Sequence, residues 1–198
     1  TLVIDATDDQ PTLDLGGGTG YAATFVAGQA TTAIAVVDTA NVSITDDGTN
    51  ITAATVDITD AQPGDALFVT GLPTGISVTG IGTTSLSFSG DASTSTYETV
   101  LAAARFDNPL ASPAMLDRNI AIQVTDDATP ANNPSVAANA VISFESAPVV
   151  DLNGDDATAG NEGQDYTTKF TLGSVDPVSV ADLDAIILDA DNNGLISQ

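Results

Sequence analysis

The chain has 198 residues, with 27 acidic side chains against three basic ones, no histidine and no cysteine, giving a formal charge of −24. Nucleic-acid binding needs a basic surface to displace counterions from phosphate, and Arg105, Arg118 and Lys169 cannot make one. Ser-His-Asp and Cys-His nucleophiles, histidine-ligated zinc, haem and iron–sulfur clusters are also excluded by composition. No run of about 18 apolar residues offers a membrane-spanning helix, and a polyanion is repelled by anionic lipid, so no membrane insertion is expected.

Charged residues make up only 15% of the chain and hydrophobic ones 42%, which separates it from a disordered acidic tail and predicts a folded core. Thr1 to Asp5 read as a strand with no charged-plus-apolar leader ahead of it, so the chain is expected to be an internal slice of something longer. Gly16 to Gly20 lack the lysine and following helix of a phosphate loop and read as a flexible turn. Strands are then predicted at 33–37, 41–45, 54–58, 76–79 and 85–88, from period-2 alternation or β-branched richness. Ser95-Thr96-Tyr97-Glu98 fits a capping box, and Tyr97, Val100, Leu101 and Ala104 share one helical face, predicting a short helix that covers one end of the fold. Two further strands are predicted at 119–124 and 139–144. Short strands at this spacing, separated by Asp-Gly, Pro-Gly and Gly-Leu-Pro turns, indicate an all-β, sandwich-type fold.

The chain repeats itself. Pro11-Thr12-Leu13-Asp14-Leu15 returns as Pro148-Val149-Val150-Asp151-Leu152, and Tyr21-x-x-x-Phe25 returns as Tyr166-x-x-x-Phe170. After a one-residue slip, Val36, Asp38, Val42, Ile44, Asp47 and Ile51 fall on Val180, Asp182, Ile186, Leu188, Asp191 and Leu195. Three parts are therefore expected: 1–10 as the last strand of a preceding unit, 11–147 as one complete unit, and 148–198 as the first part of another. The last part is too short to close a core by itself and is expected to be completed by further chain or by a neighbouring chain.

This layout resembles the cadherin-like repeats strung in tandem through large bacterial surface and RTX-type secreted proteins. The residues that carry the likeness are Ala147-Pro148-Val149-Val150-Asp151-Leu152-Asn153-Gly154, the two Tyr-x-x-x-Phe segments, and Asp182-Leu183-Asp184-Ala185. So do Gly64 to Val69 followed by Gly71 to Ile76, the helix leading to Phe106-Asp107-Asn108, and Asp117-Arg118-Asn119-Ile120 running into Val124 to Asp127. The likeness implies Greek-key β-sandwich repeats in tandem, each with one short helix, secreted to the cell exterior and stiffened by calcium at their junctions. The boundaries depart from the usual Asn-Asp-Ala-Pro, reading Asp8-Asp9-Gln10-Pro11 and Glu145-Ser146-Ala147-Pro148.

The acid itself is lopsided. Only Glu98, Glu145 and Glu162 are glutamates, so 24 of the 27 acids are aspartates, which favour turns where carboxylates converge on a hard cation. Calcium takes six to eight oxygens from Asp, Glu, Asn and backbone carbonyls. Asp189-x-Asp191-x-Asn193-Gly194 has oxygens at positions one, three and five and glycine at six, as at the opening of an EF-hand loop. The repeat places it at a strand end, where it resembles the Asp-x-Asp loop of cadherins; its counterpart in the first copy, Thr45-Asp46-Asp47-Gly48, keeps Asp47 but lacks the counterpart of Asp189, so that copy is expected to bind more weakly or not at all. A second cluster is expected across the junction, from Asp126, Asp127, Glu145, Asp151, Asp182 and Asp184. The upstream junction would draw on Asp8, Asp9 and Asp14 with Asp38.

These readings predict a non-enzymatic, extracellular, calcium-binding structural or adhesion repeat that holds several Ca2+ ions. Its partners are neighbouring repeats of the same chain or identical chains. Two alternatives stand beside it: a subunit of a surface filament, sheath or S-layer assembled by strand exchange, and a module binding surface polysaccharide, against which 5% aromatic content argues.

Overall fold

The computed structural model describes residues 9–16, 18, 20–27, 33–48, 50–127, 134–147, 149–152, 172, 178–181 and 185–188. The fold is all-β with one short helix. Its elements in chain order are β1 (Thr12–Asp14), β2 (Tyr21–Ala27), β3 (Ile34–Ala35), β4 (Ser43–Thr45), β5 (Asn50–Ile58), β6 (Ala66–Val69), β7 (Ser77–Thr79) and β8 (Ser85–Ser93). They continue with α1 (Thr94–Ala103), β9 (Ala104–Asp107), β10 (Arg118–Asp126), β11 (Ala138–Ser146), β12 (Val149–Asp151) and β13 (Ile186–Leu188). The chain divides into two compact units, Thr1–Glu145 and Ser146–Gln198.

In the first unit a six-stranded sheet runs β2-β11-β10-β5-β8-β7, a three-stranded sheet runs β3-β9-β6, and β1 pairs with β4. The long strands form because their side chains alternate. Along β10, Arg118, Ile120, Ile122, Val124 and Asp126 all point inward while the residues between them face out. β10 is held antiparallel to β11 through Arg118↔Ile142 and Ile122↔Ala138, and antiparallel to β5 through Ile120↔Ile58 and Val124↔Ala54. Thr24 meets Ser143, and a side chain at Gly20 would abut the carbonyl of Asn139, so β2 and β11 advance together and run parallel.

One apolar core joins the two larger sheets. Val56, Leu86, Phe88, Ile120, Ile122 and Ile142 of the six-stranded sheet, and Leu67 and Phe106 of the three-stranded one, are completely buried in it. Phe25 and Phe106 meet edge to face at 5.5 Å, and Phe144 lies 5.1 Å from Phe25 and 5.9 Å from Phe106, each by ring centroids. Burying a side chain of this size contributes about 1.5–3 kcal/mol, and each aromatic pair about 0.5–1.5 kcal/mol beyond that.

The helix carries the face read from the sequence, with Tyr97, Val100 and Leu101 buried, but it starts earlier than the Ser95 capping box. Ser93 is the N-cap, its hydroxyl accepting from the Thr96 amide at 3.3 Å. Glu98 does not turn back to the cap. It accepts the Ile44 amide at 2.9 Å and so ties the helix to β4. Predicted strands at 54–58, 85–88, 119–124 and 139–144 are present and longer than expected, whereas the segment at 33–37 pairs only over Ile34–Ala35 before Val36 and Val37 turn into the core.

A buried ion pair sits against that core. Arg118 is 0% exposed, and its Nε donates to Asp65 Oδ2 at 2.6 Å while the guanidinium lies 4.4 Å over the Phe144 ring. Further donations go to the carbonyls of Leu116 and, at 3.0 Å, Ala114. Asp65 also accepts from Asn108 Nδ2 at 2.8 Å and from the Gln62 amide at 2.7 Å. The pair therefore has the extra hydrogen bonds that buried charges require.

In the second unit β12 pairs antiparallel with β13 through Val149↔Leu188, Val150↔Ile187 and Asp151↔Ile186. Val150 and Ile187 are about half exposed there, and Val180 is 86% exposed.

Candidate metal site at one end of the six-stranded sheet

The antiparallel registers decide which acids can meet. Thr12 pairs with Thr45 and Ile51 with Asp126, so the entry to β1, the β4–β5 loop and the exit from β10 all lie at one end of the first unit. Asp9, Asp46, Asp47, Asp126 and Asp127 gather at that end.

Asp46 follows Val42 and Ile44 along the inward-facing side of β4, and both of its carboxylate oxygens are shielded from solvent. Asp47 is exposed, and its Oδ1 accepts the Asp9 amide at 3.3 Å. A side chain built on Gly48 would begin 2.9 Å from Asp46 Oδ2 and 3.5 Å from Asp127 Oδ1, so these two carboxylates face the same small space. Asp126 is 2% exposed. The strands are irregular here, with register shifts at Thr125/Asp126 and at Ile51/Ala53, and the Thr52 hydroxyl clamps the kink by donating to the Asp126 carbonyl at 2.7 Å. Bulges of this kind re-aim side chains at strand ends. The buried cation is remote from these acids, because Arg118 opens β10 where Asp126 closes it.

Several acids expected to act together are separated. Glu145 is exposed near the end of β11, which runs antiparallel to β10, so it stands at the opposite end from Asp126 and Asp127. The grouping of all three at one junction is corrected by that register. Asp38 and Asp14 lie at the far end of the β1–β4 ribbon from Asp9 and serve a turn: Asp38 accepts Asn41 Nδ2 at 2.8 Å and the Ala40 amide at 2.9 Å, and Asp14 accepts the Gly16 amide at 2.7 Å. The Asn41 and Ala40 hydrogen bonds hold the Asp38 carboxyl below the ordinary aspartate range. Asp151 is in β12 of the second unit, opposite Ile186. Asp8, Asp182, Asp184, Asp189, Asp191 and Asn193 lie outside the described residues.

The sequence carries a signal for the inward placement of Asp46 that the repeat correspondence does not. Period-2 continuation from Val42 and Ile44 puts Asp46 on the inward side and Asp47 on the outward one, whereas the repeat alignment drew attention to Asp47. The same continuation from Ile122 and Val124 buries Asp126. Among the described residues, no three His, Cys, Asp or Glu side chains are arranged as a preformed metal-holding group, and no helix is long and apolar enough to cross a membrane. Compared with known proteins, the chain matches no family model, no curated protein and no solved structure.

Proposed function

We propose that this chain is a calcium-binding structural or adhesion segment of a bacterial surface protein, built of Greek-key β-sandwich repeats in tandem and without enzymatic activity. The observation that carries the reading is the convergence of Asp46 and Asp127 on the space beside Gly48, next to the buried Asp126, in a chain of charge −24. Like charges gathered at a strand end repel unless a counter-ion joins them, and calcium accepts irregular oxygen sets that draw on backbone carbonyls and water as well as carboxylates. In this reading calcium bridges the β4–β5 loop and the end of β10 through the carboxylates of Asp46 and Asp127. Further ions are held by the Asp189-Asp191-Asn193 loop and by Asp151, Asp182 and Asp184.

The tandem reading is supported by the pairings. β12 pairs with β13 as β1 pairs with β4, one residue away from the register that the sequence correspondence gives. Val180 and Ile186 correspond to Val36 and Val42, yet the first pair is 86% and 39% exposed where the second is 0% and 9%. That contrast fits a second unit completed by further residues of the same or an identical chain, and it is why assembly into a filament or sheath stands as the second reading. Chelation tests the first. With EGTA the melting temperature should fall and the solution scattering envelope loosen; unchanged values for both would sink the calcium reading.

A further inference from the structure

Asp47-Gly48 is the chain's single Asp-Gly step. It lies in the loop between β4 and β5, where the Asp47 side chain is exposed and its carboxylate accepts the Asp9 amide at the long distance of 3.3 Å. Glycine is the residue that least obstructs attack by its own amide nitrogen on the preceding side chain, because it has no Cβ and the widest backbone freedom. Glycine also fits the space here. Any Cβ at position 48 would begin 2.9 Å from the carboxylate of Asp46, whose oxygens are enclosed by protein and have little room to swing away.

We infer that Asp47 is a site of spontaneous isomerisation in the folded protein. The Gly48 amide nitrogen attacks Asp47 Cγ; the new C–N bond forms as a C–O bond breaks, and the carboxyl oxygen leaves as water with the amide proton and one from solvent. The five-membered imide then takes back one water. Opening at the Asp47 main-chain carbonyl leaves the chain running through Cβ and Cγ and frees an α-carboxylate. Composition is unchanged, but the backbone gains one methylene in the loop that sets Asp46 beside Asp127. The inference is independent of whether a metal binds there.

The experiment is ageing of the intact folded chain at 37 °C, followed by peptide mapping with electron-transfer fragmentation, which distinguishes the β-linked residue, and by enzymatic isoaspartyl methyl labelling. Asp47 should accumulate the β-linked form while Asp60, followed by Ala61, does not, and D47E should lose the signal. A signal at Asp47 no greater than at Asp60, or one that appears only in urea-unfolded chain, overturns the inference.

Discussion

Replacing Arg118 with methionine should destabilise the first unit far more than an average substitution. The guanidinium is wholly buried, as is its partner Asp65, and the two meet at 2.6 Å. Methionine fills much of the space over Phe144, so the change removes charge and hydrogen bonds more than volume. Asp65 would keep the Asn108 and Gln62 donors but lose its only fully buried counter-charge among the described residues. Leaving one member of a buried ion pair alone costs about 3–5 kcal/mol, and the lost cation–π contact adds about 0.5–2 kcal/mol. For a unit of this size that corresponds to a fall of about 10–20 °C in melting temperature. Urea unfolding and calorimetry of R118M measure it. The double variant D65L/R118M should recover most of the loss, because it removes the orphaned carboxylate as well. A loss below about 1 kcal/mol in R118M, or a double variant less stable than the single one, would refute the reasoning.

Other outcomes follow from the same geometry. Burial, with the charge of Asp91 adding to it, pushes the Tyr97 hydroxyl up to about 12 from 10.0, so its stabilising contribution is intact below pH 10 and is lost as pH rises toward 12. Y97F should flatten that alkaline loss while costing about 1 kcal/mol at neutral pH, because the 2.7 Å bond to the Gly90 carbonyl disappears; identical alkaline melting profiles would contradict this. Asp38 should titrate below the ordinary aspartate value in carboxyl NMR, so what it contributes is present above that value and lost as pH falls through its lowered one; N41A should raise it. Gly16 has a φ of +95°, and a methyl group there would run into the Asp38 side chain, so G16A should cost about 1–3 kcal/mol in denaturant unfolding.

What the sequence disclosed about the fold was its alternation. Ile120, Ile122 and Val124 announce a strand with one buried face, and turn chemistry separates it from its neighbours. It did not disclose which strands pair, because β5 meets β10 across more than sixty residues of chain and nothing local encodes that choice. The misplacement of Glu145 follows directly: proximity to the unit boundary in sequence suggested proximity to Asp126, and antiparallel pairing of β10 with β11 reverses it. Arg118 and Asp126 show the opposite case. Both occupy the inward positions of a strand whose pattern was recognised, so their burial could be read from the period, while their partners come from distant segments and could not.

Calorimetric titration of calcium into the metal-free protein, alongside D46N and D127N, tests the central claim most directly. The account predicts saturable binding by the unaltered chain, loss or marked weakening of one class of site in each variant, and a stability gain of about 2.7 kcal/mol at a free calcium concentration a hundred times the dissociation constant. Absence of calcium heat in the unaltered protein, or titrations of D46N and D127N that superimpose on it, would contradict the account.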